Sequence, residues 1–125
     1  MNIKLRGLEK SDNQQIAKLI NNKRIWDNLK DYIPYPYDVK DADEFISFTK
    51  EQSPITSFGI MVNENELCGV ISLIPQTDVY RMNAEIGYWI GEKYWGQGIA
   101  SKAIELVTKY GFEELKLKRI YISSR

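Results

Sequence analysis

The middle of the chain alternates between apolar and polar positions in the way that strands do. Phe58 and Ile60 belong to a run with an apolar residue at every second position, which predicts a strand over about 56–63. The polar run 63–66 predicts a turn, and the almost wholly apolar run 67–74 predicts the second arm of a hairpin. An apolar run of this kind is typical of a central strand covered on both faces.

Apolar residues at helical spacing come before this hairpin. Ser11 begins a capping-box pattern with Gln14 at the third helical position, which predicts a helix over about 12–22. Asp38 is expected to be the N-cap of a further helix, over about 39–52. The other predicted elements are a strand at about 3–6, a short helix at about 25–33, a strand at about 82–91, a helix at about 98–114 and a strand at about 118–124.

This order of elements predicts the fold class. Helices come early, an antiparallel meander follows, and a strand–helix–strand unit comes last, with no repeat or linker between them. A length of 125 residues and a hydrophobic content of 43% suit one globular domain. We therefore expect a single α/β domain over 1–125.

Composition restricts the chemistry. The chain has 17 basic and 17 acidic residues, so it offers no global field for nucleic acid. It has no histidine, which excludes a Ser-His-Asp triad and imidazole metal ligands, and no metal site is predicted. Its one cysteine, Cys68, cannot form an intrachain disulfide, and no apolar run suggests a signal peptide or a membrane span. A cytoplasmic location is expected.

A glycine-rich segment opens the helix predicted at about 98–114. Gly96, Gly98 and Ala100 leave backbone N–H groups uncovered at the positive end of that helix, which is an arrangement that binds diphosphate. A P-loop motif is absent, and the dinucleotide fingerprint fits only halfway because Ser101 stands where a third glycine belongs. A phosphate-bearing ligand of another kind is the better interpretation.

The same segment resembles the GNAT N-acetyltransferases, in the branch of the RimJ/RimL-type ribosomal-protein N-terminal acetyltransferases. The acetyl-CoA signature of that superfamily, [R/Q]-x-x-G-x-[G/A], is similar to the run from Trp95 to Ala100, with Trp95 departing from the first position. The preceding run A-E-I-G-Y-W-I at 84–90 resembles the strand before that signature. Weaker similarities cover Phe45-Ile46, Tyr110-Gly111-Phe112 and Lys118-Arg119-Ile120-Tyr121.

The resemblance implies a fold and a cofactor. It implies a mixed, mostly antiparallel sheet flanked by helices, which stops after the fifth strand and is C-terminally incomplete. The implied cofactor is acetyl-CoA, with its pantetheine arm on the backbone of Trp89 and Ile90. A bulge in that strand, with Gly87 and Gly91 as bend points, is implied beside the thioester. The residues implied to hold the pyrophosphate are Gln97, Gly98, Ile99, Ala100, Ser101 and Lys102.

The resemblance also implies direct attack by an amine, without an acyl-enzyme. Glu85 is the candidate general base, acting through water; the alternative is a solvent-facing glutamate on a strand. Tyr35 and Tyr37 are expected at the acceptor cleft, although packing is the alternative for such aromatics. Lys102 has the alternative of a solvated helix lysine, and Ser101 that of a residue favoring a helix start.

Three functions stay open at this point. The first is an acetyl-CoA-dependent N-acetyltransferase acting on a primary amine, with a peptide or protein N-terminus preferred. The second is a small-molecule acetyltransferase for polyamines or antibiotics. The third is a CoA-binding remnant without turnover, motivated by the short length. An exposed last strand at 119–124 predicts a homodimer, because unpaired edges bind other chains.

Overall fold

A computed structural model describes residues 2–27, 36–75 and 83–122 of the chain. It contains five strands and four α-helices in those ranges, with 3-10 turns at Lys10–Asp12 and Glu92–Tyr94. The elements in chain order are β1 (Ile3–Arg6), α1 (Asn13–Ile20), α2 (Lys23–Trp26), α3 (Val39–Lys50), β2 (Ser57–Val62), β3 (Glu66–Pro75), β4 (Asn83–Ile90), α4 (Ile99–Glu113) and β5 (Arg119–Ile122).

The strands form one sheet in the order β1-β2-β3-β4-β5, so each strand lies beside its neighbor in sequence. The first three pairings are antiparallel, and only the pairing of β4 with β5 is parallel. The parallel pairing is possible because α4 crosses over between those two strands. The predicted mixed, mostly antiparallel sheet flanked by helices is confirmed.

Helices lie on the two faces of this sheet. On one face α4 packs against β2 and β3: the rings of Tyr110 and Phe58 meet edge to face with centroids 5.0 Å apart. A side chain at Gly111 of α4 would touch Leu73 of β3. On the other face α1 reaches the sheet, since Leu19 lies against Gly91. As predicted, β3 is central and almost wholly buried from Leu67 to Leu73.

The two predicted helix starts had different outcomes. Asp38 caps α3 as expected, because its carboxylate accepts hydrogen bonds from the N–H groups of Lys40 and Asp41. The prediction that Ser11 caps the first helix was wrong. The chain instead turns at Lys10–Asp12, where the Asp12 carboxylate accepts the Glu9 N–H at 2.8 Å and leads into α1.

The predicted bulge in β4 was also wrong. The register of β3 against β4 runs without a shift from Gly69–Ile90 to Pro75–Ala84. The irregularity lies one strand away, between Ile60 and Met61 of β2. There β3 has an extra residue, Cys68, whose buried thiol donates to the Ile60 carbonyl at 3.3 Å.

Neither a membrane-spanning helix nor a metal-binding cluster occurs in the described ranges. No helix in them is both long and apolar enough to cross a bilayer. No cluster of three or more histidine, cysteine, aspartate or glutamate residues in them is arranged to hold a metal ion.

Candidate active site

The glycine-rich segment forms an open helix start. Gly96 and Gly98 have φ values of +76° and +79°, a left-handed conformation that glycine adopts without strain. A side chain at Gly98 would meet none of the described atoms within 4 Å. No described side chain caps α4, and the first helical N–H with a helical partner is that of Lys102, which donates to the Gly98 carbonyl. The amides of Ile99, Ala100 and Ser101 therefore lie at the positive helix end without a partner inside the helix.

The segment between β4 and α4 is held by its own side chains. The indole N–H of Trp95 donates to the Ile90 carbonyl at 2.7 Å, so the turn is fastened to the end of the strand. The side-chain amide of Gln97 donates to the Lys93 carbonyl at 3.3 Å, which leaves its backbone amide beside the open helix start. Trp95 was the departure from the family signature, and here it has a structural role.

The second feature is an edge of β4. The Gly91 N–H donates to Cys68 in β3, and backbone groups alternate along a strand, so those of Trp89 also point toward β3. The N–H groups of Tyr88 and Ile90 point to the opposite edge. The described part of β5 runs only beside Asn83–Ile86, so no described strand covers that edge at Tyr88 and Ile90.

Glu85 lies on β4 on the face opposite α4. Glu85 is buried, with 9% relative exposure, although β4 lies beside β5 at the edge of the described sheet. Its neighbors in register are Ile74 in β3 and Tyr121 in β5. Gly87 and Trp89 follow on the same face at every second position. The structure therefore places this carboxylate on the face of the sheet opposite α4, at a position beside β5 and three residues before Tyr88, where the uncovered edge begins.

The two tyrosines predicted at the acceptor cleft have different positions. Tyr35 lies outside the described residues. Tyr37 is 7% exposed, and its backbone is held by the side chain of Asn21 at both N–H and carbonyl. Burial, together with the charges of Asp41 and Glu44, raises the pKa of its phenol to about 12. At neutral pH the Tyr37 hydroxyl is therefore a neutral hydrogen-bond donor.

Lys102 and Ser101 are both exposed on the first turns of α4. The ammonium of Lys102 lies 3.7 Å from the Glu105 carboxylate, an i,i+3 pair on the helix surface. Such exposed pairs contribute little energy, so the lysine can turn toward an anion at the helix start.

One set of long-range hydrogen bonds beside the site was not predicted from the sequence. The carboxylate of Glu92, just after β4, accepts hydrogen bonds from Asn22 at 2.7 Å and from Arg24 at 2.8 Å. These bonds tie the segment between α1 and α2 to the turn that precedes α4. The partners are 70 and 68 residues apart in sequence, and no local pattern signals such a contact.

The amino-acid sequence that forms this site matches a known protein family. The chain matches the acetyltransferase (GNAT) domain over residues 2–125. It belongs to the GNAT acetyltransferase family. The matched residues include β4, the glycine-rich turn and the start of α4.

Named relatives in this GNAT family have different acceptors. The chain is 29% identical over 122 residues to the spermidine N(1)-acetyltransferase of Escherichia coli K12, covering 96% of this chain and 62% of the relative. It is 36% identical over 66 residues to the ribosomal-protein-serine acetyltransferase of the same organism, covering 53% of this chain and 36% of the relative. The chain thus spans less than two thirds of the length of these two curated relatives.

A solved structure shows the same fold with ligands. The spermidine N-acetyltransferase of Vibrio cholerae, in complex with CoA and spermine, superposes with a TM-score of 0.75 and 26% identity. The match covers 96% of this chain and 69% of that one.

Proposed function

We propose that this chain binds acetyl-CoA and transfers the acetyl group to a primary amine, with a peptide or protein N-terminal α-amine as the favored acceptor. The observation that carries the proposal is the open, uncapped start of α4 at Gly98, next to the uncovered edge of β4. A phosphate-bearing ligand with a long polar arm fits such a pair of features.

The helix start fits the phosphates of the cofactor. The amides of Ile99, Ala100 and Ser101 converge at the positive end of α4, where a diphosphate is favored. The Gln97 and Gly98 amides precede them, and Lys102 can add its charge from the next turn. Because Gly98 has open space where a side chain would stand, the phosphate can approach the backbone closely.

The edge of β4 fits the arm that joins the phosphates to the acetyl group. Backbone N–H groups at Tyr88 and Ile90 point to this edge, so amide groups of a bound chain can pair there as a strand would. The Ile90 backbone would then pair with the arm, whereas the Trp89 backbone, predicted for the same role, points toward β3. Acetyl-CoA, when bound, supplies an acetyl thioester that an amine can attack directly.

Glu85 is the group that takes up the proton lost by the amine. Its carboxylate lies on the strand that bears the uncovered edge, on the face opposite α4. With acetyl-CoA bound, the amine nitrogen would bond to the acetyl carbon and the CoA thiolate would leave, and Glu85 would take up the amine proton through one water. An α-amine, with a pKa of about 7.7–8.0, is already partly neutral, whereas a lysine side chain at about 10.4 is not, which favors the α-amine as acceptor.

Tyr35 and Tyr37 belong to the acceptor side in this proposal. Tyr37 leads directly into α3, and its neutral phenol can donate a hydrogen bond but cannot act as a base near pH 7.

A small-molecule amine is the second candidate acceptor. It is favored by the similarity to the Escherichia coli spermidine N(1)-acetyltransferase, which covers 96% of this chain. The chemistry at Glu85 is the same for both acceptors, so only an acceptor panel separates them.

We also propose that β5 mediates a homodimer. It is one of the two outer strands of the described sheet, and Tyr121 and Ile122 are 39% and 49% exposed. Exposed strand edges with apolar side chains pair with other chains. Light scattering over a concentration series tests this: a mass that stays monomeric throughout contradicts it.

The cofactor site is tested by placing a negative charge at the start of α4. Ser101→Glu is expected to leave the fold intact, because an acidic side chain in a first helical turn is favorable by about 0.3–1 kcal/mol. It should nevertheless weaken CoA binding by about tenfold or more, since a carboxylate would face the phosphates. Isothermal titration calorimetry with CoA measures the effect.

The matched control is Gln14→Glu, which makes the same charge change on the exposed first turn of α1. Its CoA affinity should equal that of the wild type. Equal affinities for all three proteins, or no CoA binding by the wild type, would contradict the proposed site.

A further inference from the structure

Three glycines lie within the described strands, and two have a packing reason. A side chain at Gly59 of β2 would meet Leu67 at 3.0 Å and Leu8 at 3.1 Å. A side chain at Gly69 of β3 would collide with the backbone of β4 at Trp89, and with the Ile90 Cα at 3.0 Å. At Gly69 the backbone of β4 excludes a side chain, and at Gly59 two leucine side chains would both have to give way.

Gly87 of β4 has no such reason. The one described atom that a side chain there would meet within 4 Å is Ile74 Cδ1, at 3.2 Å. That atom is the far end of a flexible side chain and can move aside. Among the described residues, the space above Gly87 is otherwise open, and the residue is half-buried.

Backbone conformation does not require glycine at this position either. The glycines with positive φ in the described ranges are Gly96 and Gly98. The register of β3 against β4 continues through Ser72–Gly87 without a bulge. A glycine inside a strand lowers stability and marks a bulge, a bend or a close approach by a ligand or another backbone. Among the described residues neither a bulge nor a backbone contact accounts for Gly87, and the open space there gives a ligand room to approach.

A carboxylate and an indole lie on either side of Gly87. Glu85 and Trp89 are its neighbors on the same face, two residues before and after it, so the missing side chain leaves a recess between a carboxylate and an indole. Ser72 of β3 lies beside it in register, with its hydroxyl bonded to Ser57 at 2.9 Å. The recess lies opposite α4, whereas the cofactor features lie at the helix start and the strand edge.

We propose that Gly87 determines acceptor specificity: the recess between Glu85 and Trp89 receives the α-carbon and first side chain of an acceptor peptide. This inference rests on the proposed function, and it adds which part of the acceptor the protein recognizes. The attacking nitrogen then lies near Glu85, and the uncovered edge begins at the adjacent residue, Tyr88. A methyl group at position 87 would occupy the space that the acceptor side chain needs.

The test is Gly87→Ala, assayed with peptides that differ only in the first residue, glycine or leucine. The variant should fold, because only the end of Ile74 must move. Its kcat/KM for the leucine peptide should fall by about tenfold or more relative to the glycine peptide, since one methyl group in a filled pocket discriminates to that extent. CoA affinity should not change. Gly7→Ala is the matched control, with no described atom within 4 Å of the added methyl.

The outcomes separate this inference from the proposed function. An equal loss for both peptides, or no change, overturns the role of Gly87 while wild-type transfer still supports the function. If the wild type transfers nothing, the proposed function fails, and peptide binding in the presence of CoA is measured instead by calorimetry. A selective loss of leucine-peptide binding in Gly87→Ala then supports the recess, and no selectivity or no binding overturns it.

Discussion

At the residue scale, Glu85 is the group on which the chemistry of the proposal depends. Glu85 is buried on the face opposite α4, and in the proposal its carboxylate accepts the proton of the amine through a water. Glu85→Gln preserves the shape of the side chain and removes this ability. We expect kcat to fall by about 10²–10⁴, which is the usual contribution of a general base.

The assay for Glu85→Gln is thiol release from acetyl-CoA, with CoA affinity measured in parallel and expected to be unchanged. Glu113→Gln, at the exposed end of α4, is the control and should retain full activity. A Glu85→Gln variant as active as the wild type would remove this residue from the mechanism.

Single residues also show what the sequence could and could not predict. The glycines of the helix start were predictable, because their spacing before an apolar stripe is a local pattern. The burial of Tyr37 was not predictable from the sequence, because its backbone is hydrogen-bonded to the side chain of Asn21, 16 residues earlier. The contact of the Tyr94 hydroxyl with Glu66 likewise joins residues 28 apart. Burial and this carboxylate raise the pKa of Tyr94 far above its usual value.

At the element scale, an ion pair joins β1 to the start of α1. The Arg6 guanidinium donates to both carboxylate oxygens of Asp12 at 2.9 Å, and the Glu9 N–H adds a third bond. Burial alone would raise the pKa of Asp12, but the hydrogen bonds from Arg6 and Glu9, with the charges of Arg6 and Lys50, outweigh it. The pKa of Asp12 therefore lies below its usual 3.8.

A lowered pKa means that Asp12 contributes stability above pH 3.8, and that this contribution is lost as the pH falls through the folded-state pKa. Asp12→Asn should lower the free energy of unfolding at pH 7 by about 1–2 kcal/mol, because charged hydrogen bonds are lost. The difference from the wild type should shrink toward acid.

Urea unfolding of both proteins between pH 7 and pH 3 measures the effect of Asp12→Asn. Asp27→Asn is the control, because its ion pair with Lys23 is exposed and 3.6 Å long, and it should change stability little. A difference between Asp12→Asn and the wild type that stays constant with pH would contradict the role of the ion pair.

Most strands and helices were predictable from the spacing of hydrophobic residues along the chain. Alternation located β2 and the apolar run located β3, because the buried face of a strand repeats every second residue. The start of α1 was predicted wrongly, since Asp12 pairs with Arg6 of the preceding strand instead of leaving Ser11 as the cap. The irregularity at Cys68 has no local signal, because it depends on the register between two strands.

At the scale of the whole molecule, the proposed cofactor site and the proposed acceptor site lie on different sides of β4. In the proposal, the open start of α4 and the edge at Tyr88 and Ile90 hold the cofactor, and Glu85 and Gly87 lie on the face opposite α4. Asn22 and Glu92 link the early helices to the cofactor turn. The family assignment rests on residues 2–125, whereas the proposed acceptor site occupies one face of β4.

The most direct test of this account is acetyl transfer by the purified 125-residue chain. Acetyl-CoA is incubated with a panel of N-terminal peptides, polyamines and aminoglycosides, and mass spectrometry locates the acetyl group. We predict release of CoA with the acetyl group on the α-amine of the peptides. CoA release no faster than in the absence of protein, for every amine in the panel, would contradict the account.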